Sequence, residues 1–277
     1  MSLGKGIPNL GNTCYLNSIL QCLRYSKHLV YRLKKHDTSG DSHLVSSLVE
    51  LFFADAPIEH LYTLVRELAK SNEFKPLKQC DAHELFLYLI DKLFTELKQY
   101  KNPFEGKLIS TVTCSVCNNK SVTRYPYTSL SLPIPQILKN VHLSYSIEEL
   151  IEDYCTEEAL DEKIECENCK VKTDSCKHLE IDPGDIVAVH LKRFLGNNKL
   201  INPIEIQTHI NIGPQDYRLY ACCNHSGTMF SGHYTAACMK RDGTWSLCND
   251  RNVDSIASLP EESDRPYILF YCKTSPI

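Results

Sequence analysis

Residues 9–23 read NLGNTCYLNSILQCL. Leu16, Ile19, Leu20 and Leu23 recur at i, i+3, i+4 and i+7, the stripe of an amphipathic helix, while Pro8, Gly11 and Asn12 punctuate the chain before it. The pattern predicts a helix that opens at Cys14, with Thr13 or Asn12 as its cap. Free N–H groups and aligned peptide dipoles put partial positive charge at that end, which favours thiolate over thiol. Cys14 is therefore a candidate nucleophile. The plainer reading, and the commoner one for an arbitrary cysteine, is a small buried hydrophobe. What separates them is whether the chain supplies a base and a group to orient it.

The base candidate lies far along the chain, in FSGHYTAACMKRDGTWSLCND, residues 230–250. His233 starts an alternating strand, the RDGT stretch has hairpin-turn chemistry, and a second strand ends at Asn249 and Asp250. Folding the hairpin brings the amide or the carboxylate to the imidazole, which would fix its tautomer while the other ring nitrogen takes a thiol proton. The other histidines have no such neighbour at hairpin distance. Asn9, five residues before Cys14, offers an amide N–H for an oxyanion formed when sulfur attacks a carbonyl. Taken singly, His233 is a strand-end histidine and Asn9 a loop asparagine.

Between these ends the texture changes once. HLVSSLVELFF, IEHLYTLVRELAK and DAHELFLYLIDKLFTELK carry helical spacing, the last with Phe86, Leu89, Ile90, Leu93 and Leu97 on one face. From Phe104 onward the runs are short, β-branched or aromatic, and separated by Gly, Asn, Asp and Pro. One helix interrupts them at SIEELIEDY, where Ser146 and Glu149 form a capping-box pattern. Helices followed mostly by strands indicate an α+β fold rather than an alternating α/β sheet. At 277 residues and 43% hydrophobic content the chain suits one large domain or two closely joined ones. A net charge of −4 gives no reason to expect nucleic acid or an anionic membrane surface. The opening MSLGKGIPNL has no apolar signal core and no glycine at position two, so the chain reads as soluble and intracellular.

Fourteen cysteines without a secretory signal fit free thiols, catalysis and metal binding better than disulfides. Two C-x2-C pairs stand out, Cys114 with Cys117 and Cys166 with Cys169. Each can point two thiolates at one spot, and together they make the four-sulfur shell that structural zinc prefers. Cysteines at this density produce about 0.7 such pairs by chance, and the interval between the two is long for a zinc ribbon. Their polar turns beside strand-like sequence raise the odds. Cys176 and His178 are weaker substitute ligands.

Taken together these stretches resemble a known family. GIPNLGNTCYLNSILQCL resembles the cysteine box of the ubiquitin-specific proteases, and SGHYTAACMKRDGTWSLCNDRNV their histidine box. QCDAHELFLYLIDKL is similar to the family's Gln-x-Asp-x-x-Glu helix, the four cysteines to its zinc ribbon, and DIVAVHLKRF to its strand ending in Leu-Lys-Arg-Phe. The order agrees from about Gly6 to Cys272. The resemblance implies a papain-like fold in one catalytic domain over 1–277: a helical thumb (about 1–103), zinc-pinned fingers (about 104–184) and a β-sheet palm (about 185–277). It implies thiol-dependent hydrolysis after ubiquitin's C-terminal Gly-Gly, one structural Zn²⁺, and ubiquitin and ubiquitinated proteins as partners. A monomer located in the cytoplasm, the nucleus or both follows. Carried over by position, Cys14 is the nucleophile, His233 the general base, Asn249 the third member with Asp250 beside it, and Asn9 the oxyanion donor.

On the substrate side the resemblance implies Gln79, Asp81 and Glu84 as acceptors for the arginines of ubiquitin's tail, with Gly232 and Tyr234 lining its path. Gly227 and Gly232 would let backbone close over the two glycines of the tail. For Asp81 and Glu84 the plainer reading is helix-start carboxylates favoured by the dipole. The chain departs from the family at Cys80, where Gln or His is common, at Leu85, where Phe is usual, and at Cys248, where an aromatic residue usually stands. It is also short, which points to weaker ubiquitin affinity or dependence on an activating partner. Two other readings compete: a ubiquitin-binding pseudoenzyme, and a protease for another ubiquitin-like protein.

Overall fold

The helix opened by Cys14 forms as α1 (Cys14–Arg24), and all of its residues are buried, the polar Asn17, Ser18, Gln21 and Arg24 included. The apolar stripe understates this burial because α1 is enclosed on all sides. Some of its polar atoms find internal partners: Cys223 Sγ lies 3.4 Å from Ser18 Oγ, and Gln21 Nε2 donates to the Lys5 carbonyl at 2.8 Å, whereas Asn17 Oδ1 and Gln21 Oε1 have no partner among the described residues. In the computed structural model residues 5–34, 36–53, 58–71, 73–75, 77–135, 144–229 and 231–274 are described; residues 1–4, part of the stretch read for a targeting signal, lie outside them. Helices α2 (Lys27–Leu33), α3 (His43–Phe53) and α5 (Ala82–Glu96) pack against α1, and α4 (Ile58–Ala69) packs on α3. Phe86, Leu89, Ile90, Leu93 and Leu97 are all buried, as the spacing of α5 requires.

The opposite wall is an eight-stranded sheet. Its order is Asn252–Ile256, Trp245–Asn249, Gly232–Met239, Gln215–Gly227, Pro266–Lys273, Ile186–Lys192 and Leu130–Pro133, with His209–Ile212 paired to Gln215–Gly227. Every pairing is antiparallel except the last, Leu130–Pro133 on Ile186–Lys192. The central strands read as continuous apolar runs because both faces are covered. Ile186 and Ala188 face the helical core, while Val187, Val189 and Leu191 face a second core that includes α6 (Ile147–Cys155). The capping box of α6 is complete, with Glu149 N donating to Ser146 Oγ and Ser146 N to Glu149 Oε2.

A second, antiparallel sheet of four strands, ordered Lys120–Tyr127, Gly106–Cys114, Ser175–Asp182 and Glu158–Ala159, carries the cysteine pairs at its tip. Leu130–Pro133 lies between its strands in sequence yet belongs to the larger sheet. The fold is α+β, with helices first and, α6 aside, strands after.

The register of α1 on the large sheet decides where its first residue falls. Ser18 meets Cys223, whose ladder partner is Ala236, and Tyr25 OH donates to Ser246 Oγ at 3.1 Å, opposite Cys238. Helix and strand therefore run in the same direction. Cys14 comes to the end of the strand that begins Gly232-His233, in one core cluster with Tyr234.

Candidate active site

The turn before Cys14 is built by Asn9. Its Oδ1 accepts from Gly11 N at 3.0 Å and Thr13 N at 3.1 Å, and also from Thr13 Oγ1 at 3.3 Å. The capping expected of Thr13 or Asn12 does not occur. Thr13, the N-cap residue, makes no side-chain cap; its Oγ1 accepts from Leu10 N instead, and Asn12 Nδ2 donates to the Leu77 carbonyl. The first turn of α1 thus keeps its uncapped positive end at Cys14. Cys14 as a residue is 2% exposed, more enclosed than a part-exposed reactive cysteine.

The hairpin forms between Gly232–Met239 and Trp245–Asn249, closed by a turn with Gly243 at φ +86. It brings His233 Nε2 to 2.7 Å from Asn249 Oδ1. An amide oxygen only accepts, so Nε2 carries a proton, and in the neutral ring Nδ1 is then the nitrogen with the lone pair that can take a proton from elsewhere. Asp250 has a different task. In a left-handed turn at φ +50, it accepts from Asn17 Nδ2 on Oδ1 at 2.7 Å and from Asn9 Nδ2 on Oδ2 at 2.9 Å, and its carbonyl accepts from Ile7 N at 2.8 Å. Asn249, the third member by resemblance, meets His233, whereas Asp250 beside it turns to Asn9 in the loop before Cys14 and to Asn17 on α1. Asn17 went unread, although a carboxamide on a helix of buried residues, three past Cys14, was its signal. The approach is close: a β-carbon on Gly6 would meet the Arg251 carbonyl oxygen at 2.0 Å.

Beside this pair a cleft of about 420 Å³ is lined by Gln79, Cys80, Asp81, Glu84, His190, His225, Tyr234 and Tyr267, among others. Asp81 N-caps α5, its Oδ1 accepting from His83 N and Glu84 N at 2.7 and 3.0 Å, while its Oδ2 accepts from Tyr267 OH. The helix-start reading of Asp81 is thus present in full. Glu84 is the freer acid, its carboxyl raised by desolvation and by the charges of Asp81 and Glu73, so a cation there would relieve repulsion. Gln79 makes a two-point amide pairing with Gly232, Nε2 donating to its carbonyl and Oε1 accepting from its N–H.

Gly232 has an internal reason to be glycine. A β-carbon there would meet His225 Nε2 at 2.1 Å, so the ring of a buried neighbour excludes a side chain before any substrate arrives. Gly227 turns the chain at φ +105. His225 packs against Tyr234, Tyr267 and Phe194, and its Nδ1 has no partner among the described residues. The rings of His83 and His190 stack with centroids 3.8 Å apart. Burial lowers His83 to about 4, His190 to about 3 and His225 to about 4. Burial also raises the Tyr234 phenol. Arg193 is wholly buried, and its guanidinium donates to the carbonyls of Pro266, Leu200 and Asn202, fastening the loops at the cleft's edge. Sequence carries no signal for His225 and Tyr267, which only their surroundings distinguish, and Arg193 enters it only within the Leu-Lys-Arg-Phe strand end.

At the tip of the smaller sheet the two C-x2-C turns are built alike. Asn118 N donates to the Cys114 carbonyl and Lys170 N to that of Cys166, each donor residue holding a left-handed φ, +55 and +57. The four sulfurs lie within 4.8 Å of one another, with Cys114 to Cys169 at 3.9 Å and Cys117 to Cys166 at 3.6 Å. Four thiolates about 2.3 Å from one tetrahedral ion would stand about 3.8 Å apart, so the set fits a metal. Cys176 and His178 lie along Ser175–Asp182, outside the group.

Comparisons with known proteins converge. A family model described as ubiquitin carboxyl-terminal hydrolase matches residues 5–271. Ubiquitin carboxyl-terminal hydrolase 2 of Homo sapiens is 29% identical over 98% of this chain and 55% of its own length. The chain thus spans about half the length of that curated relative. Two solved structures of the SAGA Ubp8/Sgf11/Sus1/Sgf73 DUB module match with TM-score 0.84 over 98% of this chain. One is bound to monoubiquitin, with 27% identity and 69% of that chain covered; the other is bound to ubiquitin aldehyde, with 26% and 70%.

Proposed function

The chain belongs to the ubiquitin carboxyl-terminal hydrolase family, and we propose that it is a thiol-dependent deubiquitinase acting on the isopeptide or peptide bond after ubiquitin's C-terminal Gly-Gly. The observation that carries this reading is the His233–Asn249 pair at the strand end beside which α1 sets Cys14. In this reading Nδ1 of His233 takes the thiol proton, and sulfur attacks the carbonyl carbon of the terminal glycine. The carbonyl electron pair moves onto oxygen, where an Asn9 N–H and the N–H groups at the start of α1 receive it. Collapse breaks the C–N bond, and the imidazolium gives its proton to the departing lysine amine. Water, deprotonated by His233, then opens the thioester, releasing the ubiquitin carboxylate and the thiol.

Each remaining residue has a part. Asn249 orients the imidazole, and Asp250 holds the Asn9 amide so that its oxygen stays on the Gly11 and Thr13 N–H groups. Gln79, Asp81, Glu84, Gly232 and Tyr234 line the path of the tail, with Glu84 the main acceptor for an arginine. Cys114, Cys117, Cys166 and Cys169 would hold one Zn²⁺, which when bound pins the two turns as a structural crosslink. The division into thumb, fingers and palm places the cysteine tip on the fingers and the hairpin on the palm. Among the described residues no helix is long and apolar enough to cross a membrane. The reading includes a cytoplasmic or nuclear monomer able to take an activating partner; Ubp8 is solved with three.

The test is turnover of ubiquitin joined through its terminal glycine to a fluorescent amine. Hydrolysis that disappears in Cys14→Ala and in His233→Ala, both folded by circular dichroism, is the expected result. Ubiquitin binding by the unsubstituted protein with no turnover would make it a scaffold, and faster turnover of a ubiquitin-like relative would move the substrate.

A further inference from the structure

Leu77 combines two features that seldom occur together. It has φ +62, a conformation that a β-carbon disfavours, and its side chain is 72% exposed. Burial does not explain it. What fixes it is the turn before Cys14: Asn12 Nδ2 donates to the Leu77 carbonyl at 2.7 Å, and a β-carbon on Gly11 would meet Leu77 Cδ2 at 2.7 Å. Gly11 and Asn12 are left-handed too, at φ +99 and +56. Core packing has no use for an exposed leucine held in a disfavoured conformation, whereas a substrate contact beside Cys14 would.

Its position says which contact. The segment from Leu77 to Glu84 runs past the site in order. Asp81 and Glu84 line the cleft, Gln79 pairs with Gly232 next to His233, and Leu77 pairs with Asn12, two residues before Cys14. A tail with an arginine at the acids and glycines passing Gln79 reaches Leu77 only beyond the bond that is cut. We infer that Leu77 is a specificity-determining residue on the leaving-group side, an apolar shelf for the methylene stem of the lysine whose ε-amine is released; this rests on the hydrolase reading above. A lysine stem offers such a shelf apolar surface while its nitrogen stays at the reacting carbonyl.

Two substrates separate this role from others: ubiquitin joined to the ε-amine of a lysine in a short peptide, and ubiquitin ethyl ester, whose leaving group is too small to reach the shelf. Leu77→Asn keeps a residue that tolerates the left-handed backbone and removes the apolar stem. It should lower kcat/KM for the lysine conjugate about fivefold and leave the ester within about twofold, and Leu77→Met should restore the conjugate rate. Equal losses on both substrates, or no loss on the conjugate, would overturn the shelf. An unsubstituted protein that cuts neither substrate would instead overturn the hydrolase reading and the shelf with it.

Discussion

Asp250→Asn reverses one hydrogen-bonding group while keeping a residue that tolerates the left-handed backbone at φ +50. The native carboxylate accepts from Asn17 at 2.7 Å and from Asn9 at 2.9 Å. In the variant an NH₂ must face one of these two NH₂ groups. Asn17 is buried, with Nδ2 shared with the Ile7 and Pro8 carbonyls, so Asn9 is the side that gives way. It cannot simply flip, because its oxygen would leave Gly11 N and Thr13 N, at 3.0 and 3.1 Å. Losing one charge-assisted bond and opposing two donors costs about 2–3 kcal/mol, divided between fold and site. Half of that at the transition state slows acylation about tenfold, and complete loss of the oxyanion donor about 10²–10³-fold. Single-turnover cleavage of a fluorogenic ubiquitin substrate should therefore fall roughly 10–100-fold, with melting lower by only a few degrees. If Asp250 acts through Asn9, the same change in an Asn9→Ala background should cost little more. Fully additive losses, or a rate within about twofold of the native one, would refute this.

Three further outcomes are expected. Desolvation disfavours the charged forms of the buried His225 and the partly buried His83 and His190, which take up protons in the unfolded chain below about pH 6.5 but in the fold only near 3–4. Stability is therefore retained above about pH 6.5 and lost as pH falls toward 4, by up to about 1.4 kcal/mol per pH unit for each histidine. Urea midpoints at pH 7 and pH 5 measure this, and equal midpoints would contradict it. Native mass spectrometry should find one zinc per chain; Cys117→Ser with Cys169→Ser should remove it and lower the melting temperature, and a metal-free chain of equal stability would dismiss the site. Gly232→Ala should destabilise by about 1–3 kcal/mol through its clash with His225, and His225→Ala should recover part of the loss. A Gly232→Ala protein that melts like the native one would show that the ring can move.

Periodicity is a local signal, which is why the helix opened by Cys14, the face of α5, the capping box of α6 and the hairpin after His233 were all legible. The cysteine pairs were legible for the same reason: each turn is complete within four residues, and only their meeting needed the fold. Burial of the polar side of α1 was not, since it depends on a sheet whose strands come from the last third of the chain. Asn249 was legible as the third member through the resemblance, but the pairing of Asp250 was hidden. It turns on the left-handed φ of Asp250, which swings its carboxylate toward Asn9 and Asn17, more than 230 residues away. Gly232 invited a substrate explanation because nothing in the linear order places the His225 ring against it.

The central claim is that one thiol of fourteen is the nucleophile. It is tested most directly by incubating the protein with ubiquitin carrying a thiol-reactive electrophile at its C-terminus and locating the adduct by peptide mass spectrometry. A single adduct on Cys14, abolished by Cys14→Ala and slowed by His233→Ala, is predicted. An adduct on Cys80 or another cysteine, or undiminished labelling of Cys14→Ala, would contradict it.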